Sequence, residues 1–94
     1  MRYVSNMYMD SMIPLTQRIK EREVTLKEAQ ELAKEATSAI AGRSTAILFS
    51  HLLGTRFEEN NVQVDMHSGD SLLLGIFTDR KRSKVAWRYF EIGR

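Results

Sequence analysis

The longest apolar run of the chain lies within SLLLGIFT, residues 71–78, and it is the first guide to the fold. The turn-forming sequences HSGD and DRKRS bound it on either side, which is the pattern of a β-strand covered on both faces. No apolar run approaches the roughly 18 residues that a membrane-spanning helix requires. We therefore expect a sheet with other elements packed on it, and no membrane span.

Other segments predict further strands. NVQVDMH, residues 61–67, alternates with period two, and KVAWRYFEI, residues 84–92, is rich in β-branched and aromatic side chains. HSGD predicts a tight hairpin before residue 71, and DRKRS predicts a second hairpin after residue 78. Arg2–Ser5 and Glu21–Thr25 predict two short strands, so the expected sheet has about five strands.

Two helices are expected beside this sheet. Thr25 and Glu28 form the T-x-x-E capping box that opens the first helix. Its apolar residues recur at helical spacing: Leu26, Ala29, Leu32, Ala33 and Ala36. The second helix is predicted from Arg43 to Leu53, largely buried, with Gly54 as its left-handed stop. The predicted fold is α+β: one domain over residues 1–94, with a mixed sheet and both main helices packed on one face.

Composition narrows the possible functions. The chain has 94 residues, 43% of them hydrophobic and 28% charged, and no cysteine. This composition predicts an ordinary soluble domain without disulfides, in a cytoplasmic setting because no signal-peptide pattern opens the chain. Residues 78–94 hold six bases against two acids, a net charge of +4, whereas the whole chain carries +2. A local basic cluster of this kind favours an anionic partner over general duplex binding.

The loop before the second helix is the main candidate binding site. A helix start has free backbone N–H groups and about half a positive charge, so Arg43 at that place is repelled unless an anion is near. Gly42 permits close approach of a ligand to the backbone, and Ser44 and Thr45 offer hydroxyl donors. We expect the negative charge to come from another molecule. In the alternative interpretation, Ser44 caps the helix and Arg43 points into water.

The basic hairpin is a second, weaker candidate. Arg80, Lys81 and Arg82 could reach over a phosphate, or could simply form a solvated hairpin tip. His51 and His67 have no second ligand at a metal-binding spacing, so neither a metal site nor a cofactor is predicted. The spacing of residues assembles no catalytic nucleophile, base and orienting group.

Several motifs together resemble a known family. YVSN, SMIP, the capped helix, TSAIAGRSTAILFSHLLG, NVQV and SGDSLLLGIF follow one another in the order found in the small viral ring nucleases of the type III anti-CRISPR group. The resemblance covers nearly the whole chain. It implies a homodimer of α+β subunits that binds cyclic tetra-adenylate across the subunit interface.

The resemblance also implies the ligand-binding residues. It points to the N-terminal loop and the loop before the second helix, and the charge pattern adds the basic hairpin. The candidate residues are Asn6, Ser11, Met12, Ser38, Ala39, Ile40, Gly42, Arg43, Ser44, Thr45, Arg80 and Arg82.

The chain departs from the family pattern where the family carries out catalysis. In members that cleave, a histidine of an SAIGH motif protonates the leaving ribose oxygen, assisted by an arginine and a glutamate of an RLPEG-like loop. Here the histidine position holds Gly42, and TDRKRSK stands where RLPEG would follow Phe77. A lost proton donor typically lowers a rate by about 10²–10⁴.

The sequence therefore favours a viral anti-defence protein that sequesters a cyclic nucleotide signal in the infected cell without efficient cleavage. The ligand could also be a cyclic di- or trinucleotide or a cyclic ADP-ribose isomer. An active ring nuclease using Arg43, His51 or a hairpin base is one alternative. A module that binds a host protein or DNA through the basic hairpin is another.

Overall fold

The computed structural model describes residues 1–8 and 18–93, which form one five-stranded mixed sheet and two helices. The elements, in chain order, are β1 (Arg2–Ser5), β2 (Arg18–Val24), α1 (Leu26–Ala33), β3 (Thr37–Ser38), α2 (Arg43–Leu53), β4 (Ser71–Phe77) and β5 (Val85–Gly93). The strand order across the sheet is β2-β5-β4-β1-β3. β1 runs parallel to both of its neighbours, and β5 is antiparallel to both of its own. The predicted α+β class is confirmed.

Both helices pack on one face of the sheet. Ala29 and Ala33 of α1 and Phe49 of α2 are fully buried in a cluster with Leu73 and Trp87 of the central strands. The Phe49 ring meets the Trp87 ring edge-on, with their centroids 4.9 Å apart. Aromatic pairs of this geometry add to the stabilisation that apolar burial gives.

The capping box that opens α1 is confirmed. The Thr25 hydroxyl accepts the Glu28 N–H at 3.2 Å, and the Thr25 N–H donates to the Glu28 carboxylate at 3.4 Å. The guanidinium of Arg22 also donates to this carboxylate, at 2.7 Å.

The prediction of a strand at residues 61–67 is wrong. This segment forms no ladder, and its alternation has another cause: Val62 is 52% exposed, whereas Val64 and Met66 are buried against the sheet face opposite the helices. The HSGD turn is present, with Gly69 at φ +93°, but it joins this covering segment to β4 and closes no hairpin. The fifth strand is β3 instead, two residues that pair with β1.

Two smaller expectations also need correction. β2 starts at Arg18, three residues before the predicted start, and pairs with β5 along its whole length. Six of its seven side chains are exposed, so the hydrophobic pattern could not mark it. α2 has the predicted bounds but is only half-buried, since Arg43, Ser44 and His51 are exposed and the Ile47 side chain is 63% exposed.

Candidate functional site

The parallel pairing of β1 with β3 and β4 brings the carboxyl ends of these three strands to one edge of the sheet. Residues 6–8 leave β1 at this edge, and residues 39–42 lead from β3 into α2. Ligands of open α/β sheets bind beyond the carboxyl ends of parallel strands. Residues 6–8, the described part of the predicted N-terminal loop, therefore lie beside the loop before α2.

Asn6 ties these two loops together. Its side-chain amide donates to the Ala41 carbonyl at 2.9 Å and accepts the Ala41 N–H at 2.9 Å. Ser5 supports the same junction, because its hydroxyl donates to the Ala39 carbonyl at 2.9 Å and accepts the Met7 N–H at 3.1 Å. Asn6 thus fixes the conformation of the loop, with both ends of its amide occupied.

Ser38 ties the loop to the chain that follows α2. Its hydroxyl donates to the Glu58 carbonyl at 2.5 Å, and its own carbonyl accepts from the Asn60 amide at 2.8 Å. Ile40 is fully buried and accepts the Asn60 N–H through its carbonyl at 2.9 Å. Ala39 is 6% exposed. The three residues of the Ser-Ala-Ile element therefore shape the loop from inside.

Gly42 is the N-cap of α2 and adopts φ +95°, a conformation that favours glycine. Among the residues that the structure describes, no side chain caps the helix, and the alternative in which Ser44 is the cap is wrong. The backbone N–H groups of Arg43, Ser44 and Thr45 make no hydrogen bond to any residue in the described parts of the chain. These are the donors that a helix start leaves free.

The Thr45 hydroxyl points toward the same place. Thr45 is 6% exposed, and its Oγ1 lies 3.6 Å from where a Cβ on Gly42 would stand, closer than its own Cβ at 4.0 Å. Among residues 1–8 and 18–93, this hydroxyl has no hydrogen-bond partner. This hydroxyl and the three backbone donors thus lie together at the start of α2.

A carboxylate of the chain already stands at this helix start. The Gly42 N–H donates to Glu59 Oε2 at 3.0 Å. The expectation that the negative charge comes from another molecule is therefore wrong at the Gly42 N–H. Glu59 neutralises part of the charge conflict around Arg43, but it does not bond to the three donors of the first helical turn.

Two cavities flank the loop. A groove of about 440 Å³ lies between α2 and residues 56–59; Arg43, Ala46, Ile47 and Ser50 line it on the helix side, and Arg56, Phe57, Glu58 and Glu59 line the other. A smaller cavity of about 150 Å³ lies between residues 5–7, the loop and residues 61–64. Met7, Ala39, Ala41, Val62 and Val64 give it an apolar lining, and Asn61 and Gln63 add amides.

Sequence reasoning missed Glu59 and the cavity residues 61–64. The period-two pattern predicts a strand over residues 61–67, whereas residues 61–64 line the smaller cavity beside the loop. Glu59 carried no motif. The sequence offered one indication. The first turn of α2 has no acidic residue, and Glu59 follows shortly after Gly54, where the helix ends.

The basic hairpin is exposed and makes no hydrogen bond to the loop before α2 among the described residues. Arg80, Lys81 and Arg82 are exposed, and no hydrogen bond between described residues joins them to residues 39–45. The Arg82 guanidinium lies over the Phe77 ring at 5.6 Å, and its backbone has φ +54°. A role of Arg80 and Arg82 in the site therefore stays a prediction. Ser11 and Met12 lie outside the described residues.

The Asp79 carboxylate organises this hairpin. It accepts the Ser83 hydroxyl, the Ser83 N–H at 2.9 Å and the Lys84 N–H at 3.1 Å. The hydrogen bond from the Ser83 hydroxyl, followed by those from the backbone, holds the pKa of Asp79 below its ordinary value. The hairpin tip is thus shaped by one acid among four bases.

Within residues 1–8 and 18–93, no three His, Cys, Asp or Glu side chains gather closely enough to hold a metal ion. In the same residues, neither helix is long and apolar enough to cross a membrane.

Fold and site together define a small α+β protein that presents free backbone donors at a helix start, on the carboxyl edge of its parallel strands. Residues 4–92 match the model of the STIV B116-like family, and the chain belongs to that family. The structure is similar to that of B116 of Sulfolobus turreted icosahedral virus, with a TM-score of 0.82 and 20% identity over 96% of this chain and 97% of that one. A comparison with curated proteins finds no significant match. The resemblance to small viral proteins is confirmed at the level of this family.

Proposed function

We propose that this chain binds and sequesters a cyclic oligonucleotide second messenger, with cyclic tetra-adenylate as the first candidate, and does not cleave it efficiently. A viral protein with this activity would lower the concentration of free messenger and so prevent the defence response that the messenger triggers. The observation that carries the proposal is the set of donors at the start of α2 that have no partner among residues 1–8 and 18–93.

The helix start supplies the phosphate site of the proposal. The N–H groups of Arg43, Ser44 and Thr45, the Thr45 hydroxyl and the helix dipole all favour an anion at one point. The exposed Arg43 guanidinium can add a charged donor from the rim of the groove. Gly42 keeps a side chain out of the approach.

The cavity of about 150 Å³ supplies a place for a nucleobase beside the phosphate site. Its apolar walls suit the faces of a planar ring, and the amides of Asn61 and Gln63 can hydrogen-bond a base edge. The loop 39–42 separates the two places, so one nucleotide would lie across it. A cyclic tetranucleotide has two-fold symmetry, and two copies of the chain would present two such loops to it.

The side chains near the helix start do not favour cleavage. By the resemblance to ring nucleases, Gly42 stands where the cleaving members carry a histidine, and an arginine does not give up a proton at neutral pH. His51 is eight residues beyond Arg43 along α2, roughly 12 Å at the helical rise. It therefore does not lie beside a phosphate held at the helix start.

The test is to incubate the protein with cyclic tetra-adenylate, denature it by heat and identify the released nucleotide by chromatography. We expect the released nucleotide to be the intact ring, in an amount equal to that bound before denaturation. Linear product would establish the ring nuclease instead. A thermal-shift panel that includes cyclic di- and trinucleotides and cyclic ADP-ribose isomers identifies the preferred ligand, because a bound ligand raises the melting temperature.

Arg43→Ala should weaken binding of cyclic tetra-adenylate by about 1.5–3 kcal/mol, the range for a hydrogen bond to a charged group. Arg18→Ala is the matched control, since Arg18 is exposed on β2, at the far edge of the sheet from β3. Equal affinities for the two variants would remove Arg43 from the site.

The exposed basic hairpin favours one other function, binding of duplex DNA. In that case affinity falls steeply with salt, and replacing Arg80, Lys81 and Arg82 together by alanine reduces the salt slope. Unchanged binding by this triple variant would exclude the hairpin as a DNA contact.

A further inference from the structure

The position of Glu59 bears on how the helix start takes up a ligand. Its carboxylate accepts the Gly42 N–H at 3.0 Å, at the mouth of the groove where Arg43 stands on the opposite wall. The chain thus places an anion of its own where the proposed ligand would bring another.

This carboxylate occupies only part of the site. It bonds to the donor of the N-cap residue, whereas the N–H groups of Arg43, Ser44 and Thr45 and the Thr45 hydroxyl have no partner in the described residues. A phosphate that bonded to these donors would lie beside the Glu59 carboxylate. Since two adjacent anions repel one another, one of them must move.

The side chain of Glu59 can leave while its backbone stays in place. Glu59 is exposed and forms no ion pair with any residue in the described part of the chain, whereas the neighbouring Glu58 carboxylate pairs with Arg56 at 3.7 Å. The flanking backbone is anchored, because the Glu58 carbonyl accepts the Ser38 hydroxyl and the Asn60 N–H donates to the Ile40 carbonyl. Release of the carboxylate therefore requires rotation of one side chain and no movement of the loop.

We propose that Glu59 is a built-in competitor, a carboxylate that holds the Gly42 N–H in the free protein and is displaced when an anionic ligand binds at the start of α2. It lowers the affinity for every anion and admits only those that outcompete a carboxylate. This inference rests on the proposed function for the identity of the ligand, but its mechanism requires only an anion.

The experiment compares the wild type, Glu59→Gln and Glu59→Ala by titration with inorganic phosphate and, separately, with cyclic tetra-adenylate. Binding is followed by calorimetry and by the amide resonances of residues 42–45. Glutamine keeps an oxygen that can accept the Gly42 N–H but removes the charge, so the loop should hold its conformation. Glu35→Gln, at an exposed glutamate beyond α1, controls for the change in net charge.

Removal of the competitor should tighten binding about three- to fivefold, the size of one exposed charge interaction. We expect this in Glu59→Gln and Glu59→Ala with both ligands, and no change in Glu35→Gln. Tighter phosphate binding by the two Glu59 variants, with no nucleotide binding by any protein, would support the competitor and overturn the proposed function.

The other outcomes count against the competitor. If cyclic tetra-adenylate binds the wild type and both Glu59 variants equally, or binds Glu59→Ala more weakly, Glu59 is a structural cap and the proposed function stands. If neither ligand shifts an amide of residues 42–45 in any variant, both proposals fall.

Discussion

Single residues without a side chain decide the geometry at two places in this molecule. Gly42 provides the φ of +95° from which α2 starts, and Gly75 lets α2 approach β4 closely. A Cβ on Gly75 would stand 2.6 Å from Phe49 Cζ and 2.7 Å from Trp87 Cζ3. Contacts this short do not occur in folded proteins, so either the rings or the helix would have to move.

Gly75→Ala should therefore lower the free energy of unfolding by about 1–3 kcal/mol, the usual cost of overpacking a core. Urea denaturation followed by tryptophan fluorescence measures it, since Trp87 is one of the rings involved. Gly93→Ala is the control, because a Cβ there would meet nothing closer than the Arg18 carbonyl at 3.8 Å. Similar stabilities of the two variants would contradict the packing described for α2.

Gly42→Ala tests backbone strain without a steric clash, since its Cβ would lie 3.6 Å from the nearest atom. The φ of +95° should still cost about 1–3 kcal/mol in unfolding free energy. Chemical denaturation measures this cost. A fully stable Gly42→Ala protein would show that the loop before α2 tolerates other conformations.

At the level of elements, local signals in the sequence found most of the fold. The capping box fixed the start of α1, and Gly54 marked the end of α2. Alternation misled at residues 61–67, because a segment lying flat on a sheet buries every second residue just as a strand does. β3 has two residues and β2 an exposed surface, so neither carries a hydrophobic pattern.

The sequence predicted only part of the candidate site, because some of its residues meet only in the folded chain. Gly42, Arg43, Ser44 and Thr45 are adjacent in the sequence, and the roles of the loop residues could be argued from that adjacency. Glu59 reaches the loop through tertiary structure, so its contact with Gly42 could not be read from spacing.

Removal of the α1 cap should destabilise the protein. Thr25→Ala should lower the free energy of unfolding by about 1 kcal/mol, as expected for loss of an N-cap. Thr25→Ser keeps the hydroxyl and should lose little. Thermal denaturation of both variants checks the comparison, and equal losses would show that the hydroxyl does not act as a cap.

The β4–β5 hairpin should respond to acid through Asp79. Because the folded pKa of Asp79 lies below its ordinary value of 3.8, its contribution is present above that pH and is lost as the pH falls through the folded pKa. Amide-exchange protection at Ser83 and Lys84 should therefore fall under acid. Asp79→Asn should lose this pH dependence, and its persistence in that variant would place the cause elsewhere.

At the scale of the whole molecule, each chain has one start of α2 at which a phosphate can bind. A cyclic tetranucleotide has a two-fold axis that relates its phosphates in pairs. We expect two chains to bind one ring. Light scattering on the loaded protein and calorimetric stoichiometry measure this ratio. One ring per chain would contradict the shared site and leave each loop to bind on its own.

The most direct test of the central claim is a crystal structure of the protein with cyclic tetra-adenylate. The account predicts a phosphate within hydrogen-bond distance of the N–H groups of Arg43, Ser44 and Thr45, with an unbroken ring. A ligand bound away from α2, with these three N–H groups still unpartnered, would contradict it.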